Sequence, residues 1–457
     1  MIFQRTRTIL QWLIVSGVCV TIAVAEEPAP SKPALTRPEM KQRIQALKNR
    51  TARLPLPAPT PEEIASGRSL VNNGRLRSIY LPPSWQSFVV PGWGGSTNRP
   101  RPANTTALLN ALQASPDYGF KTRLFWIVSR GNDCQYCLGH QELKLRRVGM
   151  TDDQIAALDS KWEVFPNAER AALAFTHKLT MTPQDVGEAD IAGLKLHFSD
   201  KQIIDIAYTV ARYNAVNRWT ASTGIPQDQS FGGEEHSQLD TPTSAEFAEV
   251  PSKVAPDDVQ PRPEWEPMDQ ALAALTAAQS RTPLVELPSI DAARKVLAAD
   301  TPGVTPPVWL QAIADMPVAL DAWRQRQAMV RDGKTDSLLR AMIAWVSARE
   351  NRAWYAAGHA QARFLALGGD QAALASFAAL EKSASQPGHA EALRFARKLT
   401  SAPHTIVDAD VARLKEHFSD YEIAEIIQLT CDANAFDRYT EALRLPLEGG
   451  TAEVAGR

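Results

Sequence analysis

One stretch of this 457-residue chain is written twice, and that repeat constrains the fold more than any other feature. Trp126, Arg130, Asn132, Tyr136 and His140 recur as Trp345, Arg349, Asn351, Tyr355 and His359. Further on, Phe175-Thr-His-Lys-Leu-Thr returns as Phe395-Ala-Arg-Lys-Leu-Thr, and His197-Phe-Ser-Asp as His417-Phe-Ser-Asp. Asn214-Ala-Val-Asn-Arg-Trp returns as Asn434-Ala-Phe-Asp-Arg-Tyr. The register holds within one residue over about a hundred positions, so one folding unit is used twice. Whatever fold the first copy adopts, the second must build from the same spacing of packing residues.

That spacing is helical. Lys121 to Arg130 places Leu124, Phe125, Ile127 and Val128 on an inner face, and Cys134 to Val148 is closed by Gly149. Thr151-Asp152-Asp153-Gln154 and Ser199-Asp200-Lys201-Gln202 are capping boxes, each opening an apolar-periodic helix. Asn167 to Leu179 is another helix, and Ile64 to Asn73 an early one. No segment alternates with period two, so the expected class is all-α, with two tandem helical domains. The domains fall at 61–227 and 264–450, joined by an acidic, proline-containing linker at 228–263. Residues 26–60 read as a Pro/Ala-rich solvated tether, with a short basic helix over Arg37 to Arg53 as the alternative. Tyr80 to Pro102 reads as an ordered loop, in which Trp85 and Trp93 either cover the motif described next or fill gaps in the scaffold.

Residues 1–25 read as a secretory signal peptide. Arg5 and Arg7 precede an apolar run from Ile9 to Val24, and Ala23-Val24-Ala25 is a cleavage site. The run is short for a membrane span, so no stable span is expected after its removal. The expected location is outside the cytoplasm, periplasmic or secreted.

Two of the four cysteines sit three residues apart in Asn132-Asp133-Cys134-Gln135-Tyr136-Cys137-Leu138-Gly139-His140. A turn followed by a helix start brings Cys134 and Cys137 together, and the partial positive charge there favours thiolate. His140, on the same face, is a candidate proton shuttle. Covalent haem attachment requires histidine directly after the second cysteine, where Leu138 stands. Zinc would take Cys134, Cys137 and His140 but has no second cysteine pair to complete its ligands, so no metal or cofactor is expected. A structural disulfide across one helical turn closes too small a loop to stabilise much. In the second copy Ala353 and Ala356 replace the two cysteines, so that copy retains the scaffold without thiol chemistry. Cys431 aligns with Ala211 and is expected to be a buried, inert thiol. His177, His197 and His417 read as packing residues.

Three motifs together resemble the carboxymuconolactone decarboxylase and alkylhydroperoxidase D-like family. They are Asn132-x-Cys134-x-Tyr136-Cys137-x-x-His140, the segment from Gly149 to Ile155, and His197-Phe-Ser-Asp followed by Asn214-Ala-Val-Asn217-Arg218-Trp219. The resemblance implies an all-helical domain, often oligomeric, that needs no metal or organic cofactor. In thiol-active members one cysteine attacks a small hydroperoxide, the other resolves the sulfenic acid to a disulfide, and an external dithiol donor resets the pair. By that pattern Cys137 attacks and Cys134 resolves, an order the residues alone leave open. The family's relay glutamate falls at Thr122 here, and its relay histidine at Gln141.

A formal net charge of −2 gives no basic footprint for nucleic acid. Two functional readings follow. One is an exported thiol peroxidase or disulfide oxidoreductase. The other is a non-catalytic helical binding or assembly module.

Overall fold

The structure, a computed structural model, describes residues 35–62, 71–82, 116–228, 241–256, 264–298, 305–316, 332–384 and 386–449, with isolated positions between them. The expected leader, Trp85, Trp93 and most of the loop that holds them lie outside the described residues.

The first half runs α1 Arg37–Ala46, α2 Asn72–Tyr80, α3 Pro116–Gly131, α4 Gln135–Arg147, α5 Asp152–Ser160, α6 Asn167–Met181, α7 Glu188–Lys195 and α8 Asp200–Thr223. The second runs α9 Met268–Gln279, α10 Ile290–Ala298, α11 Val308–Ile313, α12 Ser337–Asn351, α13 Trp354–Ala366, α14 Phe377–Ser383, α15 Pro387–Ser401, α16 Asp408–Lys415 and α17 Asp420–Ala442. The expected all-α class holds. The extended structure among the described residues is a two-residue antiparallel pair, β1 Ser230–Phe231 with β2 Glu234–Glu235. No described helix is long and apolar enough to cross a membrane.

The capping boxes do what their sequence predicts. Thr151 and Gln154 satisfy each other's backbone amides at the start of α5, as Ser199 and Gln202 do for α8 and Ser419 and Glu422 for α17. The helix ends match as well. Gly149 and Gly368 close α4 and α13 with φ of 89° and 84°.

The described residues between 35 and 449 form one compact unit with a continuous apolar core. Its spine is α8 against α17, and the contacts across it are reciprocal. Arg218 Nη2 donates to the Thr400 carbonyl at 2.9 Å, and Arg438 Nη2 donates to the Thr180 carbonyl at 3.1 Å. Asn214 Nδ2 donates to Thr180 Oγ1 within the first half, and Asn434 Nδ2 to Thr400 Oγ1 within the second. Each long helix thus holds its own half together and reaches into the other through the same arginine.

Two expectations need correction. The segment read as a solvated tether carries α1, capped by a Thr36–Glu39 box, and Met40, Ile44 and Leu54 are fully buried. Arg37 is buried too. Its guanidinium bonds both Glu142 oxygens and reaches Asp152, so composition concealed a structural arm. The helix expected over Ile64 to Asn73 lies largely outside the described residues, and the next described helix is Asn72–Tyr80. Finally, residues 241–256 of the expected linker lie on the first half. Thr243 and Ser252 donate to Asp152 and Asp159, and Val254 is fully buried.

Candidate active site at the start of helix α4

The turn between α3 and α4 is built by backbone geometry. Asp133 adopts φ 48°, and the Cys134 amide donates back to the Ser129 carbonyl at 2.8 Å. A left-handed residue followed by this long backward bond terminates α3 within two residues. Aspartate tolerates the conformation better than most side chains. Helix α4 then starts at once, so Cys134 is its N-cap and Cys137 lies in its first turn. The second half makes the same corner, with Arg352 at φ 50° and the Ala353 amide donating to Ala348.

Both sulfurs converge on one hydroxyl. Thr220 Oγ1, on α8, lies 3.0 Å from Cys134 Sγ and 3.3 Å from Cys137 Sγ. The two sulfurs are close enough to influence each other's ionisation, and the Asn217 amide favours the Cys137 thiolate. An asparagine network sets these positions. Asn132 Nδ2 donates to Asn214 Oδ1 at 3.0 Å and Asn217 Oδ1 at 3.2 Å, while Asn217 Nδ2 donates to Ser129 Oγ. The whole cluster is buried, with each cysteine 3% exposed.

The environment separates the two thiols. Burial, together with the neighbouring Cys137 sulfur, pushes Cys134 well above the ordinary thiol range. Burial works against ionisation of Cys137 as well. There, however, donors from Cys134, Thr220 and Asn217, with the Lys144 ammonium, outweigh it and hold the thiol below its ordinary value. Lys144 is buried two turns along the same helix face, and its Nζ donates to Gln141 Oε1 at 3.2 Å. Burial drives Lys144 well toward its neutral amine, and Cys137 draws it back, so the two groups compete for one proton. Replacing Thr220 with valine removes a donor to the thiolate. Alkylation of Cys137 at neutral pH is expected to slow by roughly ten-fold, the effect of about 1.5 kcal/mol for one hydrogen bond to a charge.

Both ring nitrogens of His140 have partners. Its Nδ1 meets the Tyr136 carbonyl at 2.9 Å, and its Nε2 meets Asp228 Oδ2 at 2.9 Å. Asp228 also accepts from the Tyr136 hydroxyl at 2.8 Å and from the Asn72 amide at 2.7 Å. The cluster pins the chain after α8 to the start of α2 and to α4. The second half repeats it without any thiol nearby in sequence: Glu448 takes His359 Nε2, the Tyr355 hydroxyl and the Val308 amide. His140→Ala is therefore expected to destabilise the fold by on the order of 1–3 kcal/mol while leaving the pH profile of Cys137 alkylation in place. Denaturant unfolding and alkylation kinetics on the same variant measure both.

The two relay positions are occupied by neutral side chains. Thr122 Oγ1 donates to the Tyr118 carbonyl within its own helix, and Gln141 Nε2 donates to the Cys137 carbonyl. Cys431 is fully buried, and desolvation raises it far above the ordinary thiol range. Among the described residues, no group of three or more His, Cys, Asp or Glu side chains is arranged to hold a metal ion.

Thr220, Asn217 and Lys144 are the partners that reading the motif alone missed. Thr220 follows directly on the repeated Asn-Ala-Val-Asn-Arg-Trp segment, and Lys144 lies seven residues after Cys137, so helical spacing could have found the lysine. Comparison of the chain with protein-family models and with curated proteins finds no match.

Proposed function

We propose that the chain is a dithiol oxidoreductase that reduces small hydroperoxides through Cys137 and Cys134. The observation that carries this reading is the unequal treatment of two adjoining thiols around Thr220, one held below its ordinary value and the other well above it. A peroxidatic thiol must ionise near neutrality, and its resolving partner must stay protonated until needed.

In the proposed cycle the Cys137 thiolate attacks the terminal oxygen of a hydroperoxide. The O–O bond breaks, the alkoxide takes a proton and leaves as alcohol, and Cys137 becomes a sulfenic acid. Cys134 loses its proton and attacks the Cys137 sulfur, so that an S–S bond forms and water departs. An external dithiol then reduces the disulfide by exchange and is itself oxidised. Lys144 is the proton partner of Cys137, filling the place that the neutral Thr122 and Gln141 leave in the relay. Thr220 and Asn217 stabilise the thiolate, and His140 acts as a positioning residue.

This reading places the chain in the carboxymuconolactone decarboxylase and alkylhydroperoxidase D-like family. Support comes from the three motifs and from the thiol pair at a helix start. The apolar run behind Arg5 and Arg7 supports export. The rival reading, a non-catalytic helical module, draws support from the deep burial of both sulfurs and from a second half that keeps the frame without cysteines. Iodoacetamide alkylation against pH, alongside hydroperoxide consumption with a dithiol donor, decides between them. An inflection below the free-cysteine value of about 8.5, with catalytic peroxide turnover, supports the oxidoreductase. Ordinary titration with no peroxide consumption favours the module.

A further inference from the structure

One buried cation belongs to the half that carries the thiols, and an isoleucine holds its place in the other. Helices α2 and α11 correspond, because the Asn73 amide donates to the Tyr136 hydroxyl as the Trp309 amide donates to the Tyr355 hydroxyl. Counting four residues along each helix, Arg77 matches Ile313. The Arg77 guanidinium lies 4.4 Å over the Trp219 ring, and its Nη1 donates to Gln428 Oε1 at 2.9 Å. These two partners differ between the halves as well. The repeat sets Tyr439 opposite Trp219 and Tyr208 opposite Gln428. An arginine with an amide partner thus accompanies Cys134 and Cys137, whereas Ile313 has a tyrosine at each matching place and accompanies Ala353 and Ala356.

Arg77 is joined to the thiol site on two sides. Its Nε donates to Asn73 Oδ1 at 3.3 Å, and the Asn73 amide meets the hydroxyl of Tyr136, the residue before Cys137. Trp219, under the guanidinium, precedes Thr220, whose hydroxyl touches both sulfurs. The guanidinium is buried, and among the described residues its hydrogen-bond acceptors are the neutral amides of Asn73 and Gln428. A buried cation with no carboxylate bonded to it acts on charges further off. The ionisable groups that favour its charge are Cys431 and Asp432 on α17 and Cys137 on α4, while Arg212 on α8 opposes it. Burial holds Cys431 protonated, and Asp432 accepts from Gln428 Nε2 at 2.9 Å. Cys137 itself faces Cys134, Tyr136 and Lys144 on its own helix. Burial lowers Arg77 to about 10, so it stays charged at neutral pH.

We propose that Arg77 is a further positioning residue of the thiol site, held between Trp219 and Gln428 so that its fixed charge favours the Cys137 thiolate. The proposal rests on the oxidoreductase reading. It gives the second half, which carries no thiol pair, a part in that site, because Gln428 on α17 orients an arginine of the first half.

The test follows iodoacetamide alkylation of Cys137 against pH in the whole reduced protein, with the site assigned by mass spectrometry and the denaturant midpoint of each variant measured alongside. Arg77→Gln is expected to raise the alkylation inflection by about 0.5–1 pH unit and to slow alkylation below it roughly three- to ten-fold. Arg77→Lys keeps the charge and is expected to bring the inflection at least halfway back. Gln428→Glu leaves Arg77 in place but sets a carboxylate against it, and the inflection is expected to rise similarly; this variant decides the matter if Arg77→Gln does not fold. A purely structural arginine would lower the midpoint without moving the inflection. An inflection unmoved in Arg77→Gln, or raised equally in Arg77→Gln and Arg77→Lys, overturns the proposal alone when Cys137 of the unsubstituted protein titrates low. A Cys137 that titrates there like a free cysteine overturns the oxidoreductase reading and this proposal with it.

Discussion

Replacing Cys137 with serine is expected to abolish hydroperoxide consumption, whereas Cys134→Ser is expected to stop it after one equivalent. The asymmetry follows from the environment of each sulfur. Thr220, Asn217 and Lys144 all favour ionised Cys137, while Cys134 is held protonated by burial and by its neighbour. A serine hydroxyl at 137 ionises far too weakly to attack an O–O bond. With serine at 134, Cys137 is still oxidised, but its sulfenic acid has no resolving thiol. Intact-mass measurement should then find one added oxygen on Cys137 and no disulfide. Lys144→Met should leave the pair chemically complete but move Cys137 alkylation to higher pH, because the nearby positive charge that favours the thiolate is gone. Equal peroxide consumption by both serine variants would sink the assignment.

Arg37→Ala carries the largest expected effect on stability. Arg37, 2% exposed, is the shared partner of Glu142 and Asp152, which are themselves buried. Trp126 Nε1 also donates to Glu142 Oε1 at 2.7 Å, and Lys41 and Arg146 reach Asp152. Truncating the guanidinium leaves buried carboxylates short of their main counter-charge, a change that costs roughly 3–5 kcal/mol. Burial opposes ionisation of both acids, but Arg37 and its neighbours hold each below the usual carboxylate range. Because the folded values are depressed, the stabilisation is fully present above the unfolded carboxylate pKa of about 4 and is lost as pH falls below it. Denaturant midpoints should therefore drop between pH 5 and about pH 3 in the unsubstituted protein, and much less in Arg37→Ala. A variant that unfolds at the same midpoint as the parent would show that α1 contributes little.

The helical class and the corner at Asn132–Cys134 were legible in the sequence, because capping boxes and apolar periodicity act locally. The arm at 37–54 was not. Its few apolar residues are diluted among Lys, Arg and Pro, and only the distant Glu142 and Asp152 reveal why Arg37 is buried. The thiol pair was readable from spacing, but its hydroxyl partner was not, since Thr220 reaches it from another helix eighty-odd residues away. For His140 the residue was readable and its partner was not. Proximity in sequence suggested proton transfer, yet Asp228, beyond the end of α8, claims the ring. The second half provides an internal control on that point, for it pairs His359 with Glu448 while carrying Ala353 and Ala356 at the thiol positions.

The reciprocal arginine bonds across α8 and α17 have a consequence for assembly. In a two-fold homodimer, residues at matching positions are identical, so any charge near the axis is duplicated with the same sign. Here Arg212 and Asp432 hold matching positions and carry opposite signs. One polypeptide thus permits an arrangement that identical subunits cannot form, and it does so at an effective concentration that dilution cannot lower. A first half cut free and left to pair with its own copy would bring arginine where aspartate stood. The covalent join therefore allows the halves to differ, one carrying Cys134 and Cys137 where the other carries Ala353 and Ala356.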